Sequence, residues 1–288
     1  MPSAELARYR SGGQAAGRMT ALLPDLDTVR RAQALFGGYA ATRVEIVAAR
    51  PGNPLGAGVR RFGEAVALRA PPFGEHNFNR AYGFTDEALD AAREVVGWYA
   101  EADVAGAFEI APGPPSARLM PLLHEHGYRH TGFHAAFAGP AELPQVAAPG
   151  VQVIRLEDET HLADFSDVYH LGWNATRFRV PVEPWLTAPG WSLYLGLCDG
   201  APAGAAILYL ANGDAYLADS AVDPNFRRRG VHRALLDRRC ADAASASAKV
   251  IFSGADYLSA SARNMLRKGL GLLFTKAIWT RRQPNAAG

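Results

Sequence analysis

Three consecutive arginines, Arg227, Arg228 and Arg229, stand directly before Gly230 and a helix-forming run that begins at Val231. They follow Asp223-Pro224-Asn225, a turn-forming stretch, so they sit where a strand gives way to a helix. Such a turn exposes the first unpaired N–H groups of the helix, and the aligned peptide dipoles add partial positive charge there. Glycine lets the backbone approach an anion closely, while guanidinium groups add charge and directed donors. A doubly charged pyrophosphate suits that arrangement. The plainer alternatives are a solvated basic turn or a nucleic-acid contact, but the interleaved aromatics that stack bases are missing.

Other reactive residue types are sparse. Among "HEHGYRH", His124 and His126 point to different sides of a helix and His130 falls beyond a glycine, so no metal site is expected. Cys198 and Cys240 are too few for a disulfide framework and form no CxxC pair; they read as small buried apolar residues in a reducing, cytoplasmic compartment. With 30 basic and 28 acidic residues the formal charge is +2, which indicates no general attraction to nucleic acid or an anionic membrane. The first twenty residues hold no apolar signal core, and no apolar run is long enough to span a bilayer, so a soluble, unexported protein is expected.

The elements that must position the arginine turn belong to the second half of the 288 residues. "GPAELPQVAAPG" at 139–150, rich in Pro, Ala and Gly, reads as a linker between halves of about 140 residues, the usual size of one domain. Residues 1–24 are expected to be a flexible N-terminus, 25–138 one domain and 151–288 another. In the latter, "VQVIRLEDE" alternates like a strand, and Thr160 is expected to cap a helix with Leu162, Phe165 and Tyr169 on one face. "WSLYLGLC", "AAILYL" and "AYLADSAV" form a meander joined by Asp199-Gly200 and Asn212-Gly213 turns. A helix with Leu236, Cys240, Ala243 and Ala244 at helical spacing, a strand at "KVIFSGA", a helix ending at Gly269 and a last strand complete a mixed α/β sheet.

The first half ends in the same order. "DLDTVRRAQALFGGY" reads as helix, "VRRFGEAVALRA" and "NFNRAYGF" as strand; Thr85 caps a helix with Leu89, Ala92, Val96 and Tyr99 as its apolar stripe; then come strand, helix, glycine and strand. Ser116-Ala117-Arg118 echoes Ser261-Ala262-Arg263. The expectation is two copies of one fold, only the second with the arginine-glycine loop.

"AVDPNFRRRGVHRALL" resembles the acyl-CoA loop of the GNAT acetyltransferase superfamily, V-x-P, an aromatic, then Q/R-x-x-G-x-G/A. Val222, Pro224, Phe226, Arg227 and Gly230 match, while His232 stands at the last glycine or alanine position. Asn264, Gly269 and Leu270 fall where the superfamily carries an Asn-containing helix ending Gly-Phe. The resemblance implies an α/β fold of two GNAT-like mixed domains in tandem, the N-terminal one degenerate. It implies acetyl-CoA as cosubstrate, held by Ala221, Val222, Arg227, Arg228, Arg229, Gly230, Val231, His232, Arg233 and Asn264. No metal is implied, and a homodimer is an assembly common in the superfamily.

The implied reaction moves an acyl group, most often acetyl, to a primary amine. It needs a deprotonated amine, a polarised thioester carbonyl and a proton for the departing thiolate. The backbone N–H of Ala221 or Val222 would polarise the carbonyl. Asp219, three residues before Val222, could serve as base or equally as a structural hydrogen-bond acceptor. The tyrosine that many relatives use as acid is Met265 here, leaving Tyr257 and Ser261 as substitutes, or no acid at all. Trp173, Asn174, Tyr194 and Tyr209 would border the acceptor, although aromatics there are also good core residues. The rival from another class is a non-catalytic module that binds acyl-CoA as sensor or scaffold, motivated by Met265 and His232.

Overall fold

The computed structural model describes residues 25–73, 78–113, 117–144, 148–173 and 179–281. The expected flexible N-terminus, Asn174 and Ser116 lie outside them. In chain order the elements are α1 (Leu26–Ala48), β1 (Gly58–Phe62), β2 (Ala65–Arg69), β3 (Arg80–Tyr82), α2 (Leu89–Glu101), β4 (Ala107–Ile110), α3 (Leu119–Glu125) and β5 (Tyr128–Pro140). Then follow β6 (Val151–Arg155), α4 (Leu162–Gly172), β7 (Trp191–Cys198), β8 (Ala201–Ala211), β9 (Asp214–Val222), α5 (Val231–Ser245), β10 (Val250–Asp256), α6 (Ala260–Lys268) and β11 (Gly271–Arg281).

Local chemistry sets most of these boundaries. Asp199-Gly200 and Asn212-Gly213 all have positive φ, the conformation of a tight hairpin turn, and they hold the β7–β8–β9 meander. Thr85 accepts a hydrogen bond from the Glu87 N–H at the start of the turn leading into α2. The expectation for Thr160 is corrected: the cap before α4 is Asp158, whose carboxylate accepts from the Thr160 N–H at 2.9 Å, leaving Thr160 inside the short 3-10 turn. The charged Asp158 carboxylate, two residues earlier, caps the 3-10 turn that leads into α4. The segment expected as a linker also begins later, because Gly139 and Pro140 end β5, paired with Ile251 and Val250.

The eleven strands of the described residues lie in one mixed sheet of order β1-β2-β3-β4-β11-β5-β10-β9-β8-β7-β6. The last strands of the two halves are exchanged: β5 pairs with β10, and β11 lies between β4 and β5. Apart from β6, the order reads the same from either edge if β1–β5 are matched to β7–β11. The pairing agrees: β3 runs parallel to β4, as β9 does to β10.

The pleat sends alternate side chains to opposite faces. On one face α1 and α4 share a core that joins Tyr39, Val44 and Leu68 to Phe165, Trp185, Leu193 and Ile207. On the other, α5 and α6 cover Tyr194, Ala206, Leu208 and Leu217, while α2 and α3 pack around Phe108 and Tyr128. The two halves therefore share buried surface as well as a sheet.

Candidate active site

The site begins where β9 and β10 part. They pair only from Ala215–Leu217 to Ile251–Ser253, and the Ser253 hydroxyl donates to the Leu217 carbonyl at that last register. Beyond it, 218–222 follow β8 while 254–256 follow β5, so the sheet opens in a V. A register shift between β8 and β9 turns the strand there, and Asp219 takes φ 30°. The fully buried Arg239 of α5 pins this bulge by donating to the carbonyls of Ile207 and Ala218 at 2.9 and 2.8 Å, and to Ser220 Oγ. On the side of β9 that faces the V, the backbone through Ala221 and Val222 has no strand partner among the described residues.

β9 runs into the arginine loop. Asp223 accepts from the Asn225 N–H and shapes a short 3-10 turn at Pro224–Phe226. Gly230, at φ 86°, is the N-cap of α5; this left-handed conformation favours glycine, which has no Cβ. Having no side chain, it supplies no cap to the helix N–H groups. α5 can lie close to the sheet because β8 carries Gly204, where a Cβ would come within 2.5 Å of Val231 Cγ1. An uncapped helix start behind a positively charged loop is a cradle for an anion. Arg227, Arg228 and Arg233 are exposed, whereas Arg229 leans back to pair with Asp199 in the β7–β8 turn.

His232 fills the position where the loop pattern has a glycine or alanine, yet its ring turns away from the loop into the α5–α6 contact. Nδ1 accepts from Asn264 Nδ2 at 3.2 Å, which places the ring proton on Nε2, 3.2 Å from Ser261 Oγ. Burial, with the nearby Arg239 charge, pushes its pKa down to about 4, so the ring is neutral at pH 7.

The V opens into a cavity of about 540 Å³. Its C-terminal wall includes Leu217, Asp219, Ser220, Gly254, Ser261 and the buried Met265; its other wall comes from α1, β3, β4, β5 and β11. Asp219 Oδ2 accepts three hydrogen bonds, from Arg43 Nη1 at 2.7 Å and from the Tyr39 and Tyr169 hydroxyls at 2.8 Å each. Burial and the Asp219 charge push both phenols well above their usual pKa, keeping them hydrogen-bond donors. Burial would lower the Arg43 pKa, but Asp219 together with Tyr39, Tyr169 and Tyr82 outweighs it and the guanidinium stays charged.

Of the expected acceptor-side residues, half-exposed Trp173 lines the cavity. Two expectations are corrected. Tyr194 points to the opposite face, fully buried under α5 with its hydroxyl on Asp242 at 2.7 Å, because residues 193 and 195 take the α4 face. Tyr209 lies outside the cavity lining and packs on Tyr39 and Trp191. Tyr257 is exposed beyond the end of β10 and outside that lining, whereas Ser261 is part of it.

Sequence reasoning missed the charged half of the cavity: Arg43, Arg80, Glu109, His134 and Lys276. A usable signal existed in "AFEIAP" and "LLFTKAIWT", each an apolar strand interrupted by one charge. Among the described residues, no group of three His, Cys, Asp or Glu is placed to hold a metal ion, and no helix is long and apolar enough to cross a membrane.

Residues 159–272 match the model of the acetyltransferase (GNAT) family, and this segment holds the V and the arginine loop together. Those residues are thus similar to the GNAT acetyltransferases. A GCN5-related N-acetyltransferase from Kribbella flavida superposes with TM-score 0.57 at 17% identity, covering 85% of this chain and 96% of that one. Another from Sphaerobacter thermophilus gives TM-score 0.56 at 17% identity, over 90% and 94%. A conserved protein of unknown function from Staphylococcus epidermidis gives 0.55 at 13%, over 80% and 95%. A search of curated proteins found no match. The family match thus covers the segment that carries the loop, while the structural likenesses extend across both halves.

Proposed function

We propose that this protein is a cytoplasmic N-acyltransferase that moves acetyl from acetyl-CoA to a primary amine. The observation that carries this reading is the continuity of three features: the V between β9 and β10, the uncapped α5 start at Gly230, and the cavity into which the V opens. Arg227, Arg228, Gly230, Val231 and Arg233 would hold the pyrophosphate, and Ala221 or Val222 would offer an N–H to the carbonyl oxygen. When bound, acetyl-CoA supplies an acyl group activated as a thioester. Cys198 and Cys240, both free and buried, accord with a reducing compartment.

The geometry supports a positioning role for Asp219. Its Oδ2 already receives three donors, so the carboxylate fixes α1 and α4 against the bulge of β9 rather than waiting for a substrate proton. Ser261 is better placed as the donor to the departing sulfur. His232 gives its Nε2 proton to Ser261 Oγ, leaving the Ser261 hydroxyl proton free to point into the cavity. Asn264, the residue expected at the cosubstrate, acts through His232 in this scheme.

The N-terminal half is proposed to be a degenerate second copy that supplies acceptor-side wall instead of a second CoA site. Its β3–α2 connection, residues 83–88, has no arginine. It carries Asp86, whose carboxylate accepts from the backbone N–H groups of Arg118 and Leu119 at the start of α3.

The test is calorimetric titration of acetyl-CoA into the wild type and Gly230→Glu, with CoA release followed against a panel of primary amines. Binding lost in the variant, together with turnover, supports the transferase; binding without turnover across a broad panel favours an acyl-CoA-binding module; no wild-type binding ends both readings.

A further inference from the structure

Four neighbouring strands, β3, β4, β11 and β5, line the cavity with a row of charged and imidazole side chains: Arg80, Glu109, Lys276 and His134. Arg80 Nη1 donates to Glu109 Oε2 at 3.1 Å, and Lys276 Nζ pairs with Glu109 Oε1. Burial would push the Glu109 carboxyl up, but Lys276 and Arg80 outweigh it and hold it below its ordinary range. Burial and the neighbouring Lys276 push the His134 pKa down to about 3, so the histidine is neutral. Lys276 also lies 4.3 Å from the centre of the Phe36 ring. The row therefore holds two cations against one carboxylate.

Two nitrogen atoms of this row, Arg80 Nε and His134 Nδ1, are buried without a hydrogen-bond partner among the described residues, while Glu109 Oε1 has its ion pair with Lys276. A buried donor left unsatisfied costs about 1–3 kcal/mol, and an uncompensated buried charge costs more. A ligand that brought a carboxylate to the row would accept from Arg80 Nε and add the second negative charge. The rings of Phe36, Tyr82 and Tyr216 also line the cavity, suited to the apolar body of such a ligand.

We propose that the acceptor is a primary amine bearing a carboxylate, with the carboxylate held by Arg80 and Lys276 at the β3–β4–β11–β5 row and the amine directed toward the V. This rests on the acyl-transfer reading only for the fate of the amine; the carboxylate subsite is a binding statement of its own. Arg80 offers the planar, directed donors that recognise a carboxylate, and Lys276 supplies the second charge. The row lies outside the segment matched by the family model at its Arg80, Glu109, His134 and Lys276 positions alike.

The test compares para-aminomethylbenzoate with its neutral counterpart para-aminomethylbenzamide, by calorimetric binding and by CoA release, in the wild type, Arg80→Gln and Arg80→Lys. The wild type should bind the carboxylate at least about tenfold more tightly than the amide, a difference of about 1.4 kcal/mol. Arg80→Gln should bring the two within about twofold while acetyl-CoA affinity is kept. Arg80→Lys keeps the charge beside Glu109 and guards against a misfolded Gln variant; it should cut the preference by at least about threefold. Equal binding of the two probes by the wild type, no binding of either, or equal weakening of both in a folded Arg80 variant would overturn the proposal. Acetyl-CoA titration of the same samples separates the two claims. Carboxylate binding through Arg80 without acetyl-CoA binding keeps the subsite and removes the transferase; acetyl-CoA binding without carboxylate preference does the reverse.

Discussion

Replacing Gly230 isolates what the arginine loop contributes. Gly230 has φ 86°, and an added Cβ would sit 3.4 Å from Ala148 Cβ, an ordinary contact, so the penalty for Gly230→Ala is conformational rather than steric. A left-handed residue with a Cβ costs about 1–2 kcal/mol. That strain must appear either as lost stability, if the loop keeps its shape, or as lost acetyl-CoA affinity, if the loop relaxes. The two losses, from denaturant melts and calorimetric titration, should together total about 1–2 kcal/mol, at most a five- to thirtyfold loss of affinity. Gly230→Asn should lose less, because asparagine tolerates the left-handed region. Gly230→Glu adds a negative charge at the start of α5. Taken as about 5 Å from one phosphate charge, at an effective dielectric of about 20–80, it costs a further ~1–3 kcal/mol. That added loss should shrink between roughly 50 mM and 500 mM salt, while the alanine loss should not. Gly230→Glu binding acetyl-CoA within about twofold of wild type would refute the loop as anion cradle, and an asparagine variant as impaired as alanine would refute the conformational argument.

Asp219→Asn removes the counter-charge of the buried Arg43, so it should cost about 3–5 kcal/mol and lower the melting temperature by about 2–4 °C per kcal/mol; a melting temperature within a degree of wild type would deny it the positioning role. Ser261→Ala should lower kcat by at least about tenfold with acetyl-CoA affinity unchanged, measured by steady-state CoA release and calorimetry; an unchanged kcat would remove Ser261 from the proton path. His232 has a folded pKa of about 4, below the unfolded value of about 6.5. The unfolded chain therefore binds the proton first, and stability falls as pH drops from about 6.5 toward 4, by about 2 kcal/mol at pH 5. His232→Gln should flatten urea-derived stability between pH 7 and pH 5 by about that amount; an equally steep profile in the variant would assign the titration elsewhere.

The sequence alone determined the local features. Alternation, turn dipeptides and caps are short-range effects, so the β7–β8–β9 meander, α5 and α6 with its Gly269 end were all legible from neighbouring residues. The loop motif was legible for the same reason, since every group in the cradle lies within a dozen residues of Val222. Tertiary structure decided the rest. No local pattern states that β5 and β11 exchange places, because strand partners are chosen by packing across the whole sheet. That exchange brings Lys276 from the end of the chain beside Glu109, and α1 carries Arg43 to Asp219 across 176 positions of sequence. Tyr194 and Ser261 show the same division at single residues: each sequence position permitted a site role, and the pleat sent one under α5 while the α5–α6 contact brought the other to His232. Charge pairing, burial and the walls of a cavity depend on which distant segments meet, and only the folded chain fixes that.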